Sequence, residues 1–286
     1  MRHARTRLLA VALGLLLALG LAAPAQAAPV RDDSVSRPIY FVPGYGLSGS
    51  YDCWFDYWKP AGDQMRAWGM TGSYHTVSYY QSNTNCNTTI INGGTRDVSI
   101  KELGRLLAWN IYSSYSRYDI SIDVVAHSMG GLVTRAALTG VARKESGWPP
   151  YLYIEDVVTL SSPHRGTGIG NLCGFTQCRE MRPGSTLLNW LYQSPQSAIG
   201  TDWTLIGADD DDVVDTESAL GMSAGHYVRY DAGQGIEHDQ IYRMLANTSY
   251  NQRYWNYYDN KTWVQTGAGA SPGRSLTNAL YHWWRW

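Results

Sequence analysis

Ile122-Asp123-Val124-Val125-Ala126-His127-Ser128-Met129-Gly130-Gly131-Leu132-Val133 is the stretch whose reading decides the fold. A strand-like apolar run passes into a very tight turn with a serine at its tip, and a helical pattern follows. The turn is a variant of the G-x-S-x-G elbow, in which small flanking residues let a serine occupy a strained strand-to-helix turn. Ala126 stands at the first glycine position, and its methyl is the next smallest side chain. The plainer alternative is a βα turn whose serine caps the helix, since Ser is a favoured N-cap. Five residues do not separate the two readings; the surrounding chain has to.

Outward from the elbow, apolar strands alternate with helical segments. Pro38–Val42 reads as a short strand ending in Pro43-Gly44-Tyr45-Gly46, a turn that leaves backbone N–H groups free for a ligand. Residues 54–68 are helical in part, and Tyr74–Tyr80 is a strand by its Tyr, Val and Thr content. A helix from Asp97 carries Ile100, Leu103, Leu107 and Ile111 on one face. The Ile120–Ala126 strand, the Ser128 turn and a helix to about Arg143 follow, and Gly147-Trp148-Pro149-Pro150 breaks the chain. Strands are expected again at Ile154–Leu160, Asp202–Gly207 and Tyr227–Tyr230, with a helix beyond Gly235–Ile241. Residues 164–200 read as a loop or small helical cover, and the last 30 residues as a polar, aromatic tail. This alternation predicts an α/β fold: a mostly parallel central sheet with helices on both faces. Ligands then bind beyond the carboxyl ends of the strands.

The first 27 residues read as a processing signal. Arg2, Arg5 and Arg7 precede an apolar run, Leu8–Leu21, and Ala25-Gln26-Ala27 is a small-residue cleavage site. That run is short for a membrane span, which needs about 20 residues. An exported protein without a stable membrane anchor is expected, residues 28–286 forming one domain with 164–200 as its possible lid. Without the three leader arginines, 20 basic residues face 24 acidic ones. No basic stripe suggests a nucleic-acid partner, and a monomer is expected. The chain has 12 Trp and 21 Tyr against 3 Phe, residues that combine apolar area with a polar tip and could line a groove for an apolar or polymeric substrate. Asn87-Thr88-Thr89 is formally a glycosylation acceptor. Four cysteines suit an oxidising compartment. Of three possible pairings, sequence proximity favours Cys53–Cys86 and Cys173–Cys178.

A serine hydroxyl becomes a useful nucleophile only beside a base, usually a histidine oriented by a carboxylate. His127 adjoins Ser128, so its side chain must point elsewhere. Among the other histidines His238, after a strand and a glycine, is preferred; His226 is the runner-up but begins a strand. The acid should lie between serine and histidine, where Asp209, Asp210, Asp211 and Asp212 follow a strand, with Asp215 and Glu217 beyond. Four adjacent carboxylates cannot all turn inward, because like charges at close range raise one another's pKa values. Since carboxylate oxygens suit Ca²⁺, this run is also a candidate structural calcium site.

The order V-P-G-Y-G, A-H-S-M-G-G, S-P-H-R-G-T, D-x-x-V and late G-x-x-H resembles the secreted bacterial lipases of the α/β-hydrolase superfamily. The resemblance spans Pro38–Ala246 and is closest to the small-lipase branch with an A-H-S-M-G elbow. It implies an α/β-hydrolase fold and hydrolysis of apolar esters through an acyl-serine, at a lipid–water interface and without a cofactor. It makes Ser128 the nucleophile and His238 the base. The D-x-x-V match selects Asp211 as the acid over Asp210 and Asp212. The backbone N–H groups of Tyr45 and Met129 become the oxyanion donors. Pro43 stands where a histidine is often found. A polyesterase, phospholipase or acyltransferase on the same fold, or a binding protein on this scaffold, are the alternatives.

Overall fold

The computed structural model describes residues 27–243, 248–259 and 261–282. The leader expected over 1–27 lies outside them except for Ala27, and so do the last four residues of the aromatic tail. Strand β1 (Ile39–Val42) leads into a wide helical turn, Cys53–Trp58, continued by α1 (Lys59–Ala67). Then come β2 (Tyr74–Ser78), β3 (Thr88–Thr89) and α2 (Ile100–Ser114), the last capped by Ser99, whose Oγ accepts the Glu102 N–H at 3.0 Å. Strand β4 (Ile122–His127), α3 (Met129–Ala142) and β5 (Ile154–Leu160) follow. Beyond them lie two short helices, α4 (Thr176–Glu180) and α5 (Thr186–Trp190), in the expected cover. Strand β6 (Asp202–Ala208), α6 (Thr216–Ala219) and β7 (His226–Tyr230) come next. The chain ends with β8 (Tyr250–Asn256), β9 (Val264–Gly269) and α7 (Pro272–Tyr281).

One sheet runs β3-β2-β1-β4-β5-β6-β7-β8-β9. It is parallel from β3 to β7 and antiparallel across β8 and β9. Alternate residues of each central strand enter different cores. Tyr40, Val42, Val124 and Ala126 pack with Leu103, Leu107 and Leu132 of α2 and α3. Ile39, Phe41, Val125 and Val158 pack with Met65 of α1 and Leu276 and Leu280 of α7. The sheet is therefore covered on both faces, which is why its strands read as continuous apolar runs.

The strand order reverses between β1 and β4, the switch point where ligands of such sheets bind. Val42 is in register with Ala126, so Pro43-Gly44-Tyr45 and His127-Ser128 leave the sheet side by side.

The tail departs from expectation, because residues 250–282 build two strands and a helix. Strand β8 carries Asn, Gln and Arg among its aromatics, and β9 holds two glycines, so neither shows apolar alternation. The run His238–Arg243 forms hydrogen-bonded turns, with Gln240 N–H to Glu237 O at 2.9 Å and Arg243 N–H to Gln240 O at 2.7 Å, and the helix expected beyond Ile241 falls largely on residues 244–247, outside the described residues. Asn87 is already committed within the sheet edge: its side chain accepts from Thr76 N–H and donates to the Tyr74 carbonyl, both at 2.6 Å. Glycosylation at Nδ2 would compete with its bond to the Tyr74 carbonyl. Among the described residues no helix is long and apolar enough to cross a membrane.

Both disulfides pair as expected, Cys53 with Cys86 and Cys173 with Cys178, 33 and 5 residues apart in sequence. Loop-closure entropy makes the longer bridge worth about 3–4 kcal/mol and the shorter about 2. Cys53→Ser/Cys86→Ser should therefore lower the unfolding free energy in urea more than Cys173→Ser/Cys178→Ser does.

Candidate active site

Ser128 holds φ 52° and ψ −129°, a conformation few non-glycine residues adopt, and its side chain makes no capping hydrogen bond to α3. The geometry is that of a strained elbow. Its N–H donates to Leu160 O at 2.9 Å and its carbonyl accepts from Gly131 N–H at 3.1 Å. The turn tolerates no bulk on its helical side. A Cβ on Gly130 would lie 2.2 Å from the Val42 carbonyl oxygen, and one on Gly131 would lie 2.2 Å from Ser162 Oγ. Ala126 is fully buried between Val42 and Thr159.

With capping excluded, the hydroxyl turns to the histidine. His238 Nε2 lies 2.9 Å from Ser128 Oγ, and His238 Nδ1 lies 3.0 Å from Asp211 Oδ2. The three residues come from the turns after β4, β6 and β7, at one edge of the sheet. Asp211 Oδ1 accepts the N–H groups of Val213 and Val214, both at 2.9 Å. Burial pushes the Asp211 carboxyl up, but the hydrogen bond and charge of His238, with Ser161 and the Val214 N–H adding to them, together hold the group below its ordinary value. An ionised Asp211 fixes the tautomer of His238 with Nδ1–H, leaving Nε2 free to accept the serine proton.

The other aspartates have separate employment. Asp209 pairs with Arg229 at 2.8 Å and accepts from Thr216 Oγ1 at 2.7 Å. Asp210 accepts three successive N–H groups, of Gly233, Gln234 and Gly235, at 2.7–2.8 Å, and so shapes the turn that delivers His238. Asp212 and Asp215 are exposed, and Glu217 pairs with Arg229. Asp209–Asp212 therefore do not converge on one ion, contrary to the calcium reading. Among the described residues, the one group of three ligands close enough to share an ion is His127, His238 and Asp239. There both rings already have partners at each nitrogen. His226 lies at the opposite end of the sheet, 2.9 Å from Asp202, too far along its strand to serve Ser128.

Across from the histidine lies the turn after β1. A Cβ on Gly44 would stand 2.8 Å from Ser128 Cβ and 3.2 Å from its Oγ. Gly44 N–H donates to Tyr57 Oη at 2.7 Å, and Gly46 N–H to Tyr80 Oη at 3.3 Å. The Tyr45 N–H between them meets no protein acceptor among the described residues. The Gly44 carbonyl accepts from Tyr79 Oη at 2.9 Å, and in a trans peptide the following N–H points the opposite way. Met129 is the first residue of α3, where N–H groups have no intrahelical acceptor and the helix dipole favours negative charge. The Tyr45 phenol reaches the cover, 3.5 Å from Cys173 Sγ, and Tyr80 donates to Gln177 Oε1 at 2.7 Å. Tyr57, Tyr79, Tyr80 and Asp210 are the supporting residues that the sequence did not disclose, since each acts on backbone distant in the chain.

The sequence pattern of the PGAP1-like α/β domain family matches residues 21–172, just over half of the chain. The chain belongs to this family. The fold is that of the α/β hydrolases. The lipase BlEst2 of Bacillus licheniformis, in its propeptide form, superposes with a TM-score of 0.50 at 17% identity, over 76% of this chain and 49% of that one. The present chain thus spans about half the length of that protein. Lipase B of Aspergillus fumigatus gives a TM-score of 0.48 at 12% identity, over 89% of this chain and 59% of that one. No curated protein matches the sequence.

Two predictions follow from this packing. Gly44→Ala must move either the turn or Ser128, and a misplacement near 1 Å costs about 10²-fold in rate; reaction with an organophosphonate probe should slow by that order while the circular dichroism is unchanged. Burial also holds the pKa of His127 and of His164 well below the ordinary imidazole value. Each contributes stability that is present above the unfolded pKa and lost as pH falls below it. Imidazole NMR should show neither ring titrating between pH 7.5 and 5.5.

Proposed function

We propose that this chain is an exported serine hydrolase of carboxylic esters, most at home on acylglycerols or other apolar acyl esters. The observation that carries the reading is the unbroken line from Ser128 Oγ through His238 to Asp211, at 2.9 and 3.0 Å, with no capping bond competing for the hydroxyl. In this reading Ser128 Oγ attacks the ester carbonyl as His238 Nε2 takes its proton. The tetrahedral oxyanion sits between the Tyr45 and Met129 N–H groups, each such donor being worth about 10²–10³ in rate. His238 then protonates the departing alcohol, and water repeats the sequence on the acyl-serine. Asp211 stays ionised throughout and stabilises the imidazolium that forms.

Support for an apolar substrate comes from the rim. Leu47, two residues beyond Tyr45, is 81% exposed, and Leu172, beside the Cys173 that touches Tyr45, is 80% exposed. Two exposed leucines on neighbouring loops suit an acyl chain or a lipid surface better than a polar ester. Export is supported by the basic and apolar leader and by two disulfides, which persist in oxidising compartments.

A fluorophosphonate probe with peptide mapping should modify Ser128, and Ser128→Ala should abolish both labelling and turnover. Labelling at another serine would overturn the assignment. Asp211→Asn should lower kcat by about 10⁴-fold, because the wrong tautomer of the base is then favoured. On p-nitrophenyl esters the rate should rise from acetyl toward longer acyl chains. Activity confined to acetyl and butyryl would remove the apolar-ester assignment.

A further inference from the structure

Two side chains beside the proposed chemistry take no part in it and are nonetheless fully engaged. His127, one residue before Ser128, is buried, with Nδ1 at 2.6 Å from Tyr57 Oη and Nε2 at 2.9 Å from the His238 carbonyl oxygen. Tyr57 Oη in turn accepts the Gly44 N–H at 2.7 Å. One assignment of protons satisfies both bonds of a neutral ring and the Gly44–Tyr57 bond with them. A carbonyl only accepts, so Nε2 carries the hydrogen; Nδ1 is then the acceptor, and the Tyr57 hydroxyl donates to it. Burial favours these neutral forms, since it lowers the imidazole pKa, with His238 adding to the effect, and raises that of the phenol. The rings are held as well. Tyr57 stacks on Tyr242 at 4.9 Å and 8°, and His127 lies 4.7 Å from both Tyr242 and His238.

We propose that Tyr57 and His127 are positioning residues that form a relay from the oxyanion turn at Gly44 to the backbone of His238, fixing the distance between oxyanion donor and base. The proposal rests on the serine-hydrolase reading. The relay runs from the turn after β1, through the helical turn Cys53–Trp58 and the last residue of β4, to the loop after β7. It passes beside Ser128, so the two groups that must flank the reacting carbonyl are gauged against the residue adjoining the nucleophile. Such constellations need to be held to about 0.5 Å. Tyr57 further occupies the Gly44 N–H, so the donor left at that turn is the N–H of Tyr45.

Tyr57→Phe deletes one oxygen and keeps the ring stacked on Tyr242. It should lower kcat and the rate of fluorophosphonate labelling together, by about 10- to 100-fold, with KM within about twofold; the fold should persist, its melting temperature lowered by several degrees because the Gly44 N–H loses its partner. His127→Phe removes both ring nitrogens and breaks the same relay at its next member. Because one break disables the whole, the double variant should be no slower than the slower single variant, whereas multiplied losses would overturn a shared relay. An unchanged kcat in Tyr57→Phe, with wild type active and Ser128→Ala inactive, would overturn the relay and leave the hydrolase reading standing. A wild-type chain that neither cleaves esters nor takes the probe would overturn the hydrolase reading instead. Imidazole ¹⁵N NMR tests the wiring without activity. It should find His127 as the Nε2–H tautomer, with its Nδ1 signal displaced in Tyr57→Phe. An Nδ1–H tautomer or an imidazolium at neutral pH would overturn the relay whatever the kinetics.

Discussion

A serine backbone held at φ 52° and ψ −129° is the constraint on which the rest of this molecule depends. A residue other than glycine in such a region costs of order 1–3 kcal/mol and persists only where its surroundings over-determine it. Here they do so from both sides. The Leu160 carbonyl holds the Ser128 N–H, and Gly130 allows α3 to start directly beneath the end of β1, where a methyl would strike the Val42 carbonyl. The strain has a chemical consequence. A serine in ordinary extended geometry would cap α3 with its own hydroxyl, whereas in this conformation Oγ projects away from the helix and toward His238.

The same crowding gives three of the tyrosines their place. The turn after β1 must approach Ser128 closely, and it does so with backbone rather than side chains, so its peptide groups need partners beneath. Tyr57, Tyr79 and Tyr80 supply these from three directions, each burying an aromatic body and presenting a hydroxyl that can accept from an N–H or donate to a carbonyl. Phenylalanine would pack as well but leave buried peptide groups unpaired, at about 1–3 kcal/mol each. These three tyrosines form the floor under a turn.

What the chain discloses of itself follows from locality. The elbow is legible because its serine, small neighbours, preceding strand and following helix are contiguous. Asp211 and His238 are legible through order, since each follows a strand that the apolar pattern marks. The choice of Asp211 over Asp210 is decided by what the loops do: Asp210 meets the N–H groups of residues 233–235, and no local pattern announces that pairing. The terminal β8, β9 and α7 escape for another reason. An edge of an antiparallel sheet carries polar residues on both faces, so strands there lose the alternation that reveals a half-buried strand, although Ser271 and Pro272 do mark the start of α7 by cap chemistry. Tyr57 and His127 are the least legible, because their roles exist only once three distant turns have met.

The far end of the sheet bears on the site through β1. Arg37, which shortly precedes that strand, is buried among carboxylates, 2.9 Å from Glu155 and 3.4 Å from Asp123, with Asp32 also in contact. The register shift between β4 and β5 sets Glu155 and Asp156 opposite Asp123, and burial with mutual repulsion raises the carboxyl pKa of Asp156 well above its ordinary value. Buried charge clusters of this kind add little net stability, yet removing one partner is costly because the others are left unpaired in low dielectric. Their effect is therefore on geometry. Strand β1 has four residues, few ladder bonds, and a slip of one residue would exchange its two faces. Such a slip would also carry Gly44 off Ser128. Anchored by Arg37 below and by the contact of Gly130 with Val42 above, β1 has one register available, and that register delivers the Tyr45 N–H beside Ser128. The charged network beneath the sheet and the Gly44–Tyr45 turn above it are in this sense two ends of one short strand.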